Sequence, residues 1–139
     1  MKNSSEGIGQ QVRIVWRVPG EWAFLKLFIP DAFRVQARTT SEELREIARE
    51  VARKLNRSKG PVAILLPLKG WSSLDKEGMP LYDPEADQAF IQELKVHLNT
   101  KIPIVELDLH LNTCEFAEET VNHFLKIYEE YKRGREKDP

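Results

Sequence analysis

Cysteine is nearly absent: Cys114 is the only one in 139 residues. An internal disulfide is excluded, and a cytoplasmic location is expected. A reactive thiol needs activating neighbours, so Cys114 reads first as a small buried or helix-start residue. No apolar run approaches the ~20 residues that span a bilayer, and no membrane partner is expected. An excess of one charge is lacking too. The 21 basic and 22 acidic residues nearly cancel, which argues against binding nucleic acid through bulk charge. Residues 1–10 lack the apolar stretch of a signal peptide and read as a disordered lead-in. There is no internal repeat, no phosphate-loop run ending in Gly-Lys-Ser/Thr and no dinucleotide fingerprint.

What is present suits one globular domain. Apolar residues make up 41% and charged residues 31%, enough for a single core. The domain is expected over residues 11–131, with a charged tail at 132–139. Val12, Ile14 and Trp16 alternate with polar neighbours, predicting a strand over 11–18. Pro19-Gly20 marks a turn, and the apolar segment 22–29 is a second strand or an irregular buried stretch. Phe33, Val35 and Ala37 alternate again. Thr40 and Glu43 have capping-box spacing, and Leu44, Ile47, Ala48, Val51, Ala52 and Leu55 follow at helical spacing.

Residues 62–66 are continuously apolar, the pattern of a strand buried on both faces. Asp83 can cap the next helix, with Pro84 at its first position. Ala86, Phe90, Ile91, Leu94 and Leu98 form that helix's apolar face. A second buried strand is expected over 102–109. Asn112 and Glu115 resemble a cap and its partner for a last helix, striped by Ala117, Val121, Phe124, Leu125 and Tyr128. The strand–helix order over 33–131 predicts parallel strands with right-handed crossovers. The expected fold class is α/β: a three-layer, Rossmann-like parallel sheet with an N-terminal hairpin-like extension.

In open parallel sheets, ligands bind at the carboxyl ends of the strands. The first buried strand leads to Lys69, Gly70, Ser72, Ser73 and Asp75; the second leads to Asp108, His110 and Asn112. These eight are the candidate ligand-binding residues. The loop after residue 66 is long for a strand-to-helix connection, usually about 2–6 residues, and long loops often carry function. Lys69 and loop amides could hold a phosphate or carboxylate. Asp108 and His110, two apart, would share a strand face and could form an acid/base pair. They could equally be a polar strand end, with His110 bonding locally to hold a turn. As metal ligands they are too few for a site. Asp83, Glu85 and Asp87 read as helix capping and dipole compensation. His97 and His123 read as solvated or lightly packed.

Several blocks resemble a known family. They are Arg38-Thr39-Thr40-Ser41-Glu42-Glu43 and Gly60-Pro61-Val62-Ala63-Ile64-Leu65-Leu66-Pro67-Leu68-Lys69-Gly70. They continue through Ser72, Asp75, Gly78 and Tyr82-Asp83-Pro84-Glu85-Ala86-Asp87. The last are Glu106-Leu107-Asp108-Leu109-His110-Leu111-Asn112 and Phe116-Ala117. Residues 36–125 resemble the C-terminal part of the Tm-one-like ATP-binding-domain family, whose plant relative is a tobamovirus-resistance protein. Residues 1–35 match poorly, and Trp71, Leu81 and Thr113 depart from the usual residues. The resemblance implies an intracellular two-part α/β protein that associates through its subunits. It implies ATP as the nucleotide, associated chiefly with the N-terminal part. A full member is much longer, so a fragment, a separately encoded subunit or a relic domain is expected.

The leading functional expectation is a ligand-binding and assembly module, the second half of a Tm-one-like protein. An enzyme using Asp108 and His110 with Lys69 and the serines as anion contacts is the first alternative. A purely structural domain is the second. The expected partner is another copy of the chain or a chain supplying the N-terminal half. This follows from the resemblance and from the apolar cluster of Trp16, Trp22, Phe24, Leu25, Leu27 and Phe28.

Overall fold

A computed structural model describes residues 25–31 and 33–135. Strands β1 (Leu27–Asp31) and β2 (Arg34–Ala37) precede helix α1 (Ser41–Leu55). Strand β3 (Ile64–Pro67), helix α2 (Pro84–His97), strand β4 (Ile104–Leu107) and helix α3 (Cys114–Arg135) follow. The strand expected over 11–18, and Trp16, Trp22 and Phe24 of the apolar cluster, lie outside the described residues.

Helix α1 starts where its capping box predicts. The Glu43 amide donates to Thr40 Oγ1 at 3.3 Å, and the Thr40 amide donates to the Glu43 carboxylate at 2.8 Å. These bonds hold the Glu43 carboxyl below its ordinary range. Leu44, Ala48 and Ala52, four residues apart, are its buried line, whereas Ile47 is exposed. Two alanines on the contact line allow α2 to approach closely. Arg49 meets Glu93 across that contact at 2.7 Å. The Asn56 side chain donates to His97 O and accepts from the Asn99 amide, tying the two helix ends together.

Strands β3 and β4 are adjacent and parallel, with Ile64 opposite Ile104 and Leu66 opposite Glu106. Side chains alternate between the faces of a strand. Leu66, with Ile64 and Ile104 beside it, packs with Ala48, Ala52, Ile91, Leu94 and Leu98 in the core under α1 and α2. Ile91 and Leu94 are each 1% exposed, which contributes about 1.5–3 kcal/mol apiece. Ala63 and Leu65 instead floor a groove beside α3. The expectation that both strands are mostly buried is met only at Leu66 and Pro67; Ile64, Leu65 and three residues of β4 are half-buried and Glu106 is exposed.

The described residues form a mixed α/β fold with two separate two-stranded sheets, β1–β2 and β3–β4. The segment around Phe33, Val35 and Ala37 does not join the parallel sheet as expected. It turns back antiparallel on β1, with Leu27 opposite Ala37. Its alternating pattern explains this, because a strand inside a parallel sheet must be apolar on both faces. Phe33 is 94% exposed, and every residue of β2 is open to solvent. The start of α3 also differs from expectation. Thr113 is the cap, its hydroxyl accepting from the Phe116 amide at 3.2 Å, one residue beyond Asn112.

Candidate functional site

Two loops leave the carboxyl ends of β3 and β4 and are stitched together by backbone bonds. The Leu68 amide donates to Leu107 O, the Lys69 amide to Leu109 O, and the Leu111 amide to Gly70 O. The Leu109 amide folds back onto Leu107 O at 2.7 Å. That tight turn ends β4 before Asp108, so Asp108 and His110 do not share a strand face as expected. Lys69 Nζ takes Asp108, at 2.8 Å, and both side chains are largely exposed. His110 Nε2 lies 3.0 Å from Ser72 O, and its Nδ1 lies 3.1 Å from the Asn112 amide. An amide can only donate, so Nδ1 accepts and Nε2 carries the proton given to Ser72 O. His110 is thereby a clasp between the loops, and neither ring nitrogen is directed at Asp108.

The first loop is internally braced. Gly70 has φ +107°, and a Cβ there would lie 1.7 Å from Asp75 O. Trp71 Nε1 donates to Pro67 O at 2.9 Å, and its ring meets Phe90 edge-on, centroids 5.0 Å apart. Asp75 N donates to Ser72 O, and Leu81 N to Leu74 O. These bonds make the long connection an ordered platform.

Asp75 faces inward. It is 1% exposed and accepts from the Trp71 amide at 3.1 Å and the Asp83 amide at 3.4 Å. Arg38, at the end of the hairpin, lies 3.5 Å from Asp75 and donates to Asp87 in the first turn of α2. One guanidinium therefore joins the hairpin, the loop and α2. Burial pushes the Asp87 carboxyl up to about 6 against the pull of Arg38, with Asp75 adding to the rise. Asp83 performs its expected task, accepting from the Ala86 amide at 3.2 Å. Its carboxyl sits below the ordinary range: burial works to raise it, and the Lys26 ammonium and the Ala86 amide outweigh that.

Seven of the eight candidates thus connect at the carboxyl end of the sheet. Lys69 and Asp108 face solvent as a pair. Gly70, Asp75 and His110 shape and fasten the loops, and Ser72 and Asn112 contribute backbone atoms. Ser73 is exposed on the same loop. Two grooves, of about 480 and 580 Å³, lie toward the amino ends of the strands and beside α3, and none of the eight lines either. Among the described residues no group of three or more His, Cys, Asp or Glu could hold a metal ion, and no helix is long and apolar enough to cross a membrane. His97 and His123 bond within their own helices, to Glu93 and Glu119.

Arg38 and Asp87 tie this end to the hairpin and to α2, and residue type alone did not single them out. A signal for Asp87 was present: it stands four residues before Ile91 and seven before Leu94, on their buried line.

The profile of the uncharacterised protein family UPF0261, C-terminal domain, matches residues 15–128. The chain belongs to the UPF0261 family. A UPF0261 protein of Clostridium tetani is 41% identical over 101 residues, covering 72% of this chain and 25% of that protein. A UPF0261 protein of Brucella suis is 43% identical over 76 residues, covering 55% of this chain and 18% of that protein. The tomato ToMV resistance protein Tm-1(GCR237) is 40% identical over 92 residues, covering 65% and 12%. This UPF0261 chain therefore spans a quarter or less of the length of these relatives. The family expected from its sequence blocks is the family found.

Proposed function

We propose that this UPF0261 chain is a ligand-binding and assembly module, the second part of a longer α/β protein. The observation that carries the reading is the braced platform at the carboxyl ends of β3 and β4, where two loops share backbone bonds and present Lys69 to solvent. Ligands in open α/β sheets bind at this end. In the complete protein, β3 and β4 belong to a larger, three-layer Rossmann-like sheet. Continuous apolarity at residues 62–66 supports this, because parallel strands are normally covered on both faces.

The ligand class is a small anion, phosphate or carboxylate, met by Lys69 and nearby loop amides. The Lys69–Asp108 pair is exposed, and such pairs are worth about 0–1 kcal/mol, so an anion can displace Asp108 from Lys69. ATP is included only because the family resemblance implies a nucleotide, associated there chiefly with the N-terminal part. The test is titration of inorganic phosphate, ADP and ATP, followed by amide chemical shifts. Shifts at residues 69–75 and 108–112 that vanish in Lys69→Ala are the expected result. Silence at both loops up to millimolar ligand would remove the ligand-binding half of the reading.

A further inference from the structure

Helix α3 has 22 residues, yet only Phe116 among them is buried. Helices in proteins owe most of their stability to packing of an apolar face. Here that face is open: Val121, Phe124, Leu125, Tyr128 and Tyr131, at helical spacing, are 44–64% exposed. Phe124 and Tyr128 stack on each other, ring centroids 6.2 Å apart, one turn apart along the helix. Part of the stripe overhangs a groove of about 580 Å³ whose floor includes Ala63 and Leu65.

Strand β3, whose Leu65 lines this groove, pairs on one side only among the described residues. In a parallel ladder, the N–H and C=O of one residue point to the same side and alternate along the strand. Ile64 and Leu68 donate toward β4, at Pro103 O and Leu107 O. The Leu65 N–H and C=O therefore point to the other edge of β3. Among the described residues no strand pairs there. An apolar strand, an edge unpaired among the described residues and an overhanging apolar helix thus lie side by side.

We infer that the α3 stripe and the β3 edge seat the remaining part of a UPF0261-type protein. The inference rests on the reading of this chain as an assembly module and names the surface and its occupant. The relatives' length argues for this occupant, since three-quarters or more of each relative lies outside the matched segment. Shape argues for it too. A single strand satisfies the edge but cannot also cover a stripe running from Val121 to Tyr131. A two-fold related second copy would bring its own β3 antiparallel, out of keeping with the parallel β3–β4 ladder.

The test is a full-length chimera, the Clostridium tetani protein with its matched segment replaced by that of this chain. Hydrogen exchange at residues 62–65 and 120–131 is compared between the chimera and the chain alone. The expected result is at least tenfold slower exchange in the chimera. Phe124→Glu should leave the melting temperature of the chain alone unchanged and lower that of the chimera by several degrees. The unaltered Clostridium tetani protein is the second measurement, because the helix aligned with α3 must also exchange slowly there. Fast exchange of that helix in both full-length proteins would overturn the inference. So would a dimer of the chain alone that Phe124→Glu dissolves, which assigns the face to a second copy. Faster exchange at residues 62–65 and 120–131 on removal of residues 1–24 would assign the seat to the chain's own leading segment and also overturn it. Anion-induced shifts at residues 69–75 are read separately, so loss of the docking surface is distinguishable from loss of the ligand platform.

Discussion

Arg38 at the end of the β1–β2 hairpin donates to Asp87 in the first turn of α2, with both side chains nearly buried at 13% and 8% exposure. Asp75 shares the same guanidinium. Removing one partner of a buried pair leaves an uncompensated charge and costs about 3–5 kcal/mol. Arg38→Met is expected to lower stability by that amount in urea unfolding. The double variant Arg38→Met/Asp87→Asn should recover part of the loss, because it removes one of the stranded carboxylates. Equal stability of Arg38→Met and the wild type would show that the guanidinium does not hold the three elements together.

Asp87 also gives the fold a pH dependence of definite sign. Burial raises its carboxyl from 3.8 to about 6. The folded chain therefore binds a proton that the unfolded chain releases between those values. The associated stability is fully present below about pH 3.8 and lost as pH rises through about 6. At 1.36 kcal/mol per pKa unit, the loss is on the order of 3 kcal/mol. Wild type minus Asp87→Asn, measured by urea unfolding from pH 3.5 to 7.5, isolates this contribution from the other carboxylates. A flat difference across that window would contradict the raised carboxyl.

Gly70 and Gly78 separate conformational strain from collision. Both have positive φ, +107° and +82°, but a Cβ at Gly78 meets nothing within 4 Å. Gly78→Ala is expected to cost about 1–2 kcal/mol through strain alone. At Gly70 the added carbon would lie 1.7 Å from a backbone oxygen, so the loop must move. Gly70→Ala should be the more destabilising of the two and should shift the amides of residues 71–75 and 110–112. Thermal melts with amide spectra of both variants decide it.

Asp108 pairs with Lys69, the one lysine among the eight candidate residues, at 2.8 Å. Under the anion-binding proposal, Asp108→Asn should tighten inorganic phosphate binding by about 2–5-fold, in line with the ~0–1 kcal/mol of an exposed pair. Thermal stability should stay within about 0.5 kcal/mol of the wild type. Weaker phosphate binding in Asp108→Asn would mean that the carboxylate assists the ligand, and the anion assignment would fall.

What the sequence determined by itself was local. Thr40 with Glu43, Asp83 with Pro84, and the apolar runs around Ile64 and Ile104 carry their signals within a few residues, through caps, fixed dihedrals and periodicity. Helices α1 and α2 and the adjacent parallel pair β3–β4 were legible for that reason. So was the gathering of Lys69, Gly70, Asp75 and His110 at one end of that pair, since parallel neighbours finish on the same side. The roles within the gathering were not legible. Whether a carboxylate meets solvent, an amide or a guanidinium depends on groups far along the chain. Only the tertiary structure turned Asp75 inward onto Arg38, 37 residues earlier in the sequence. Only it parted Asp108 from His110 through the turn at Leu109. It also decided which apolar stripes found a cover. Leu44 and Ile91 lie on lines that meet in the core, while the stripe of Val121 and Phe124 obeys the same periodicity and stays open. Periodicity shows that a face needs a partner; packing among distant elements determines whether the chain itself supplies one.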